Sequence, residues 1–413
     1  MDGTVITRRS AVRRLGAMVG GVVGWSAFTP SQGGVRARVR QNPTTDSVLD
    51  RTGINLRAAE LDQHTLNLVT TYGFRWIRTD ISWRTLEPRP GAFDFDELRR
   101  GLQAAVDRGL RVLGILDYGH PVYTGMLAPR DEHQREAWVR FAVEALRQLG
   151  SLVSAWEVWN EPNHPRFWPP HPDVKDYNAL LSEVAAALWS QNPDAVLVTG
   201  GLSTVDEKFL SALVPLVDSL AQEGPLGLGL HPYRNTAPET VADDLRRVGL
   251  LRDGGRAETD KGVRVWLTEW GYCRGTAGID ATRQAEWMVR IPLVGAALDS
   301  PLTVLFELRD GGPQQQCGMV NPRDEPYPVS RPWSGLRKVL GSTTPTLRNI
   351  PLGSKAPWSV GSCDSALVWG GGPNATGPFT PIACEVADPV CATGVWQVAP
   401  ARDHWARLGT FCQ

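Results

Sequence analysis

Two glutamates are the residues best suited to chemistry. Glu161 and Glu269 each lie at the end of an apolar, Trp-rich stretch. A pair of carboxyl groups facing one pocket can cleave a glycosidic bond, because one attacks the anomeric carbon while the other protonates the leaving oxygen and then activates water. An anionic neighbour and apolar walls favour the protonated form of the donor. Glycosidic chemistry is therefore the leading hypothesis, and structural or substrate-binding glutamates are the alternative.

Such a pair needs a fold that brings distant segments together. From residue 52, short β-rich runs alternate with longer amphipathic segments, a pattern typical of βα units on a parallel sheet. The predicted strands are residues 52–56, 74–81, 110–116, 155–158, 195–199, 226–230, 263–268 and 302–306. Eight such repeats predict an α/β fold, a (β/α)8 TIM barrel spanning residues 49–342. The competitor is an open doubly wound sheet, which would need a glycine-rich phosphate loop that residues 53–57 lack.

The connecting segments are predicted to be helical. The clearest one carries a single apolar stripe, formed by Trp138, Phe141, Ala142, Ala145, Leu146 and Leu149. Another is predicted to begin at a capping box of Asp94 and Glu97 and to stop at Gly109. In a TIM barrel the active site lies at the carboxyl ends of the strands. Because strands four and seven stand nearly opposite each other, Glu161 and Glu269 are expected to face one another.

The segments around both glutamates carry a family resemblance. Trp-Asn-Glu-Pro-Asn at residues 159–163 resembles the strand-four acid/base motif of the retaining clan A glycoside hydrolases, and Leu-Thr-Glu-Trp-Gly at 267–271 is similar to their strand-seven nucleophile motif. Residues 77–83, 90–95, 117–123 and 230–233 also look like those of family 39 and related bacterial polysaccharide-cleaving enzymes. The resemblance implies a retaining β-glycosidase that hydrolyses a polysaccharide or oligosaccharide, with Glu161 as acid/base and Glu269 as nucleophile.

Matching positions imply further site residues. Asn160 would donate a hydrogen bond to the sugar 2-hydroxyl. Arg78 and Tyr233 would keep Glu269 ionised and oriented, because positive charge and hydrogen bonds favour the anion. His120 and His231 would line the subsites, although a histidine at a strand end is often a packing residue.

The end of the eighth strand departs from the clan pattern. Many clan A enzymes place a Trp platform there, whereas this chain has Phe-Glu-Leu-Arg-Asp-Gly at residues 306–311. Glu307 and Asp310 are therefore predicted to bind sugar hydroxyls, and a salt-bridged pair of Glu307 and Arg309 is the structural alternative. This departure argues against simple transfer of a cellulase-like specificity.

Tryptophan is common in this chain, with 16 residues, and its ring can stack on a sugar or fill a core. Trp168 and Trp270, and with less support Trp83, are predicted to be sugar platforms. No cofactor or metal is predicted, since the histidines show no metal-ligand spacing and the sequence has no phosphate or dinucleotide fingerprint.

Composition restricts the partners. Lys and Arg number 43 against 44 Asp and Glu, which argues against a general nucleic-acid binder. No apolar run reaches the roughly 20 residues of a membrane span, so no integral span is expected. A carbohydrate is the predicted partner, and the sequence does not indicate the oligomeric state. The alternative function is a non-catalytic carbohydrate-binding protein on a glycosidase-like barrel, against which the two glutamates argue together with Asn160.

The two ends of the chain differ from the middle. Residues 1–48 combine Arg8 and Arg9 with an apolar stretch at 15–28, which resembles a twin-arginine export signal and predicts an extracellular or cell-envelope location. A disordered basic tail is the alternative. Residues 343–413 are predicted to form a small β-rich appendage.

All six cysteines occur from residue 273 onward, which suggests disulfides in an oxidising compartment, with reduced thiols as the alternative. Cys273 and Cys317 follow neighbouring strands and could be joined above the active site. The other four, whose pairing the sequence does not reveal, are Cys363, Cys384, Cys391 and Cys412.

Overall fold

Eight parallel strands form the centre of the protein. The computed structural model describes residues 47–275, 279–311 and 316–341, and five short strands between 347 and 400. The barrel strands are β1 (Thr52–Asn55), β2 (Trp76–Ser82), β3 (Arg111–Asp117), β4 (Ala155–Val158), β5 (Leu197–Thr199), β6 (Leu226–His231), β7 (Val265–Trp270) and β8 (Thr303–Leu305). The sheet closes because β1 pairs with both β2 and β8, and β5 pairs with β6. The predicted TIM barrel is confirmed, and each predicted strand overlaps an observed one.

Helices follow the strands and cover the outside of the barrel. They are α1 (Gln63–Thr71), α2 (Trp83–Leu86), α3 (Asp96–Val106), α4 (Glu132–Leu149), α5 (Val174–Gln191), α6 (Glu207–Leu220), α7 (Val241–Arg247), α8 (Ala281–Met288), α9 (Ile291–Ala297) and α10 (Ser330–Gly341). Three single 3₁₀ turns occur at Leu49–Arg51, Ala58–Glu60 and Pro238–Thr240. The apolar stripe predicted for α4 is buried throughout. Among the described residues, no helix combines the length and apolar character needed to cross a bilayer.

Aspartate side chains start five of these helices by accepting hydrogen bonds from first-turn N–H groups, which have no partner inside the helix. These residues are Asp62, Asp131, Asp173, Asp206 and Asp280. The capping box predicted at Asp94 and Glu97 is wrong. Helix α3 begins two residues after Asp94, whose carboxylate accepts from the Asp96 N–H at 3.1 Å, so the Glu97 N–H is not its partner.

The barrel interior changes in character along its axis. The layer at the amino ends of the strands, the floor of the barrel, is apolar. Trp76 and Trp266 meet there edge to face, with ring centroids 6.3 Å apart. Gly227 on β6 makes room for the Trp266 ring. One layer further toward the carboxyl ends, the inward positions carry buried polar residues such as Arg78 and Glu157. The apolar floor therefore supports a charged layer from below.

The carboxyl-terminal part of the chain adds a separate antiparallel sheet. Its strands are β9 (Leu347–Asn349), β10 (Trp358–Gly361), β11 (Ala366–Trp369), β12 (Phe379–Pro381) and β13 (Val395–Pro400), in the order β9-β10-β11-β13-β12. Strands β9 and β10 lie beside helix α9. A β-rich, five-stranded region is therefore present, while the division of the chain at residues 48 and 342 stays a prediction.

A disulfide joins Cys273 and Cys317, in the segments that follow β7 and β8. The predicted bridge between neighbouring loops is thus confirmed, and it joins residues 44 positions apart in the sequence. The remaining cysteines lie outside the described residues. So does the segment that resembles an export signal, except for its last two residues.

Substitution of Gly227 by Ala tests the packing of the barrel floor. An added Cβ would lie 2.4 Å from Trp266 Nε1, so we expect the Gly227→Ala protein to lose about 1–3 kcal/mol of unfolding free energy. Urea denaturation measures this loss. In a Trp266→Ala background the same substitution should cost almost nothing, because the opposing ring is gone. An equal cost in both backgrounds would contradict this account.

Candidate active site

One buried guanidinium organises the charged layer of the barrel. Arg78, on β2 and 1% exposed, donates from Nε to Glu157 at 2.7 Å and from Nη1 to Glu269 at 2.6 Å. It also donates to the side-chain oxygens of Asn55 at 3.1 Å and Asn160 at 2.8 Å. Burial alone lowers the pKa of Arg78, but the charges of Glu157 and Glu269 outweigh it and raise this pKa. Arg78 therefore stays cationic and links four strands.

Glu157 is a functional neighbour that the sequence prediction missed. Its side chain points inward from the middle of β4, is fully buried, and accepts hydrogen bonds from Arg78, the Gly201 N–H and the Thr268 hydroxyl. Burial raises the pKa of Glu157, yet Arg78 and His231 outweigh that and lower it to about 2. The sequence did contain a signal for this role. Glu157 is a charged residue within a buried strand, and a buried charge needs a partner.

Glu269 is held at both carboxylate oxygens. Arg78 donates to Oε2, and the Tyr233 hydroxyl donates to Oε1 at 2.8 Å. Two donors, one on β2 and one just after β6, fix the plane of the carboxylate. This is the arrangement of Arg78 and Tyr233 that the family resemblance implied for the nucleophile.

Glu161 lies across the pocket beside His231. The two side chains are hydrogen bonded, Nδ1 to Oε1, at 3.1 Å. Burial lowers the pKa of His231, but Glu269, Glu157 and Glu161 together raise it to about 9. Burial also raises the pKa of Glu161, and the cationic His231 more than reverses this, so the net shift is downward. The net effect on Glu161 in the free site therefore favours the carboxylate, the opposite direction to that expected from an anionic neighbour and apolar walls.

The backbone that carries Glu161 is unusual. Trp159 has φ of 72° and Glu161 has φ of 44°, both in the left-handed region that favours glycine. The Glu161 N–H donates to the Gly201 carbonyl at 3.1 Å, which anchors this turn beyond the end of β5. The close approach requires glycine there, since a Cβ on Gly201 would lie 2.1 Å from His231 Nε2. The left-handed turn directs Glu161 toward the pocket rather than along the strand.

The separation of the two glutamates fits one stereochemical class. A carboxylate oxygen of Glu161, a ring nitrogen of His231 and a carboxylate oxygen of Glu269 all lie within 4.8 Å of one another. Retaining glycosidases place their carboxyl groups roughly 5–5.5 Å apart, whereas inverting ones need about 6.5–9.5 Å to admit water. The same three atoms form the one convergent group of possible metal ligands among the described residues. Their hydrogen bonds to Arg78, Tyr233 and each other account for the geometry without an ion.

Asn160 completes the predicted set around the pocket. Arg78 binds its side-chain oxygen, so the amide NH₂ group is left as a donor. A free NH₂ donor of this kind can donate a hydrogen bond to the oxygen of a sugar hydroxyl. The structure thus brings Arg78, Asn160, His231 and Tyr233 together with the two glutamates.

Four other predicted site residues serve the fold instead. His120 is 1% exposed, and its ring nitrogens contact the Glu87 carbonyl and the Val122 N–H, so it is a packing residue. Trp168 and Trp270 are fully buried and present no face to a sugar, which contradicts the platform role; Trp83 is buried as well. A tryptophan that fills the core and a tryptophan that stacks on a sugar are the same residue type, so the composition could not tell the two roles apart.

Asp310 is held by its own protein neighbours. Its Oδ1 accepts from the Gly318 N–H, and its Oδ2 accepts from Arg274 and from the Tyr327 hydroxyl. Both oxygens are engaged by the protein and the side chain is buried, which favours a structural role, and the contact with sugar hydroxyls stays a prediction. Asp310 braces the segments that the disulfide joins.

Glu307 remains a candidate. Its partner is Arg57 at 2.8 Å, whereas Arg309 pairs with Glu60 and Asp324, so the alternative Glu307–Arg309 pair does not form. Glu307 Oε1 is buried and has no hydrogen-bond partner among the described residues. Burial raises the pKa of Glu307 to about 7, against the opposing effect of Arg57.

Partly exposed aromatic rings do occur at this end of the barrel. Tyr118 stacks on Phe167 with centroids 6.1 Å apart, and Tyr233 meets Phe306 edge to face at 6.3 Å. All four are intermediate in exposure. They are better placed than the predicted tryptophans to contact a sugar ring.

Comparisons with known proteins find glycoside hydrolases. A family model described as Cellulase (glycosyl hydrolase family 5) matches residues 43–298. No curated protein matches the sequence. A family 39 glycoside hydrolase from Bacteroides cellulosilyticus WH2 has a similar structure, at 19% identity and a TM-score of 0.62, with 85% of this chain and 79% of that chain covered.

Two further structures share the fold. One is a monomeric β-xylosidase from Caulobacter crescentus CB15, at 16% identity and a TM-score of 0.58, covering 84% of this chain and 78% of that one. The other is an exo-β-1,4-mannosidase from Opitutaceae bacterium strain TAV5, at 16% identity and a TM-score of 0.55, covering 71% of this chain and 60% of that one.

The raised pKa of His231 predicts a pH-dependent stability. A histidine whose pKa is about 9 when folded and 6.5 when unfolded stabilises the fold fully below pH 6.5 and loses this effect as the pH rises through 9. We expect the parent to lose about 3 kcal/mol more unfolding free energy than His231→Asn between pH 6 and pH 10. Urea denaturation across this range measures it, with His64→Asn as an exposed control. Parallel curves for the parent and His231→Asn would refute the assignment.

Proposed function

This chain belongs to the cellulase family, glycosyl hydrolase family 5, and from that premise we propose that it is a retaining β-glycosidase acting on a polysaccharide or oligosaccharide. Membership makes it a clan A glycoside hydrolase, as the motifs around Glu161 and Glu269 predicted. The observation that carries the proposal is the spacing of these two carboxylates, whose facing oxygens lie within 4.8 Å.

The first step breaks the glycosidic bond. Glu269, oriented by Arg78 and Tyr233, attacks the anomeric carbon and forms a glycosyl ester, while Glu161 gives a proton to the departing oxygen. The free site stores this proton on His231, 3.1 Å from Glu161. A bound sugar buries Glu161 further, which raises its pKa and moves the proton along that hydrogen bond.

The second step restores the enzyme. Once Glu161 has given up its proton, it accepts one from a water molecule at the anomeric carbon, and the resulting hydroxide displaces Glu269. The sugar keeps its original configuration because inversion occurs twice. The Asn160 amide donates to the 2-hydroxyl, a contact that strengthens as positive charge develops on the ring.

The substrate class is proposed from the pocket and from the neighbouring folds. The β-xylosidase and the exo-β-1,4-mannosidase with similar folds act on β-linked sugars, as their names state. Glu307 supplies a buried carboxyl oxygen, without a partner in the described part of the chain, just after β8. A sugar hydroxyl would satisfy that oxygen, in keeping with the hydroxyl-binding role proposed for Glu307.

We also propose that the enzyme is exported. The Arg-Arg pair with its apolar stretch supports this, and the Cys273–Cys317 bridge is of the kind that persists in oxidising compartments.

Glu269→Gln tests the proposed nucleophile. Replacing a carboxylate by an amide keeps the shape but removes the attacking group, so we expect reducing-sugar release to fall by about 10⁴-fold or more. The assay compares parent and variant on β-linked glucans, xylans, mannans and bacterial exopolysaccharides. Asp96→Asn, on the exposed face of α3, is the matched control. Polymer binding without any release by the parent would favour the carbohydrate-binding alternative.

Glu161→Gln separates the acid from the nucleophile. We expect natural polymers to be cleaved about 10²- to 10⁴-fold more slowly, while aryl glycosides with good leaving groups still form the ester, because their departure needs no proton. Added azide should then release a β-glycosyl azide, since an anion of this kind needs no general base. An α-glycosyl azide or no azide product would contradict the assigned roles.

A further inference from the structure

A second carboxyl pair lies in the same barrel and takes no part in the steps above. Asp80 is on β2, two residues after Arg78, so both side chains face the interior. Asp117 is the last residue of the neighbouring strand β3, where it pairs in register with Ser82. The two aspartates therefore meet on one wall of the pocket, closer to its mouth than Arg78.

Asp117 is buried in a way that demands explanation. It is 0% exposed, and among the described residues no group donates a hydrogen bond to either of its oxygens. An ionised carboxylate without donors is among the costliest groups to bury. Burial, together with the charge and contact of Asp80, raises the pKa of Asp117 well above its usual range, with Glu157 adding to the effect and Arg78 opposing it.

A proton on Asp117 resolves this arrangement. The protonated carboxyl becomes a donor, and the carboxylate beside it on the neighbouring strand is that of Asp80. Asp80 is partly exposed, unlike Asp117, and no described residue gives it an ion pair or another hydrogen bond. One side of the Asp80 carboxylate is thus fixed by Asp117, and its remaining lone pairs are free toward the pocket.

The pair lies within electrostatic reach of the nucleophile. Arg78 supplies the link, because it donates to Glu269 at 2.6 Å and lies two residues before Asp80 on the same face of β2. The charges of Asp117, Asp80 and Glu269 also add to burial in raising the pKa of Tyr118, which directly follows Asp117 in the chain. A sugar whose anomeric carbon meets Glu269 would extend toward this wall.

We propose that Asp80 determines specificity by accepting a hydrogen bond from a hydroxyl of the sugar bound next to Glu269, and that Asp117 positions Asp80 through the proton between them. The ligand class is a neutral sugar with a free hydroxyl at that position. A uronate would bring a carboxylate against Asp80 and is excluded by like charge. This inference rests on the proposed glycosidase function.

The test of Asp80 uses the full chain and the aryl glycoside that the substrate panel selects. Asp80→Ala should lower kcat/KM by about 10- to 100-fold, the effect of losing a hydrogen bond to a charged acceptor. On the analogue that lacks the relevant hydroxyl, chosen from the 3-, 4- and 6-deoxy glycosides, it should lower kcat/KM less than about threefold. The 2-deoxy glycoside is the control, because Asn160 is the proposed partner of that hydroxyl. Asp96→Ala controls for removal of an exposed carboxylate.

Asp117 is tested by a pair of variants. Asp117→Asn retains a neutral donor toward Asp80 and should keep kcat/KM within about threefold, whereas Asp117→Leu removes the donor and should lose about tenfold or more. The difference spectrum between the parent and Asp117→Asn should show the infrared band of one protonated carboxyl, because Glu307, with a pKa of about 7, contributes equally to both proteins. Equal losses in both variants, or no such band, would overturn the shared proton.

The two proposals fail in different ways. If the parent is silent on every substrate, or Glu269→Gln keeps its rate, the glycosidase function is contradicted and the subsite falls with it. If the parent is active and Glu269→Gln is not, but Asp80→Ala lowers kcat/KM equally on the parent glycoside and all deoxy analogues, the subsite alone is overturned.

Discussion

The buried guanidinium of Arg78 is the interaction on which the site depends. Glu157 and Glu269 would repel each other inside the barrel, and each would carry an unfavourable desolvation energy without a cation between them. Arg78 binds both at hydrogen-bond distance and also orients Asn55 and Asn160. Because its partners come from several strands, any shift in strand register would break the set. The strand register that closes the barrel therefore also sets the geometry of the site.

The layers of the barrel interior explain how such a cluster is tolerated. Bulky apolar side chains, with Trp76 and Trp266 among them, pack together below the charges. The charged layer above this floor is held by ion pairs and hydrogen bonds centred on Arg78, and carboxyl oxygens of Glu307 and Asp80 remain for a ligand. At the rim the disulfide and the Arg274–Asp310 ion pair tie together the segments after β7 and β8.

Much of the fold was predictable because its signals are local. Each strand is a short apolar run, α4 has its own stripe, and Glu161 and Glu269 lie in recognisable segments at strand ends. The predictions that failed or stay open concern residues whose roles depend on tertiary contacts. The partners of Glu157 and Asp310 come from other segments of the chain, and whether Trp168 meets solvent depends on the packing above it. The distance between the Glu161 and Glu269 carboxylates is likewise a property of the closed barrel, and it cannot be read from their spacing in the sequence.

The left-handed backbone at Glu161 has an evolutionary consequence. A residue with a Cβ in this conformation is destabilised by roughly 1 kcal/mol relative to glycine. Glycine at this position would relieve that strain, but it would also leave the buried His231 ring without its partner Glu161. Loss of a partner by a buried polar group costs about 1–3 kcal/mol, which is at least as much as the relief. A laboratory selection for heat resistance that ignores activity would therefore keep Glu161, because the same side chain that faces the pocket also stabilises the fold.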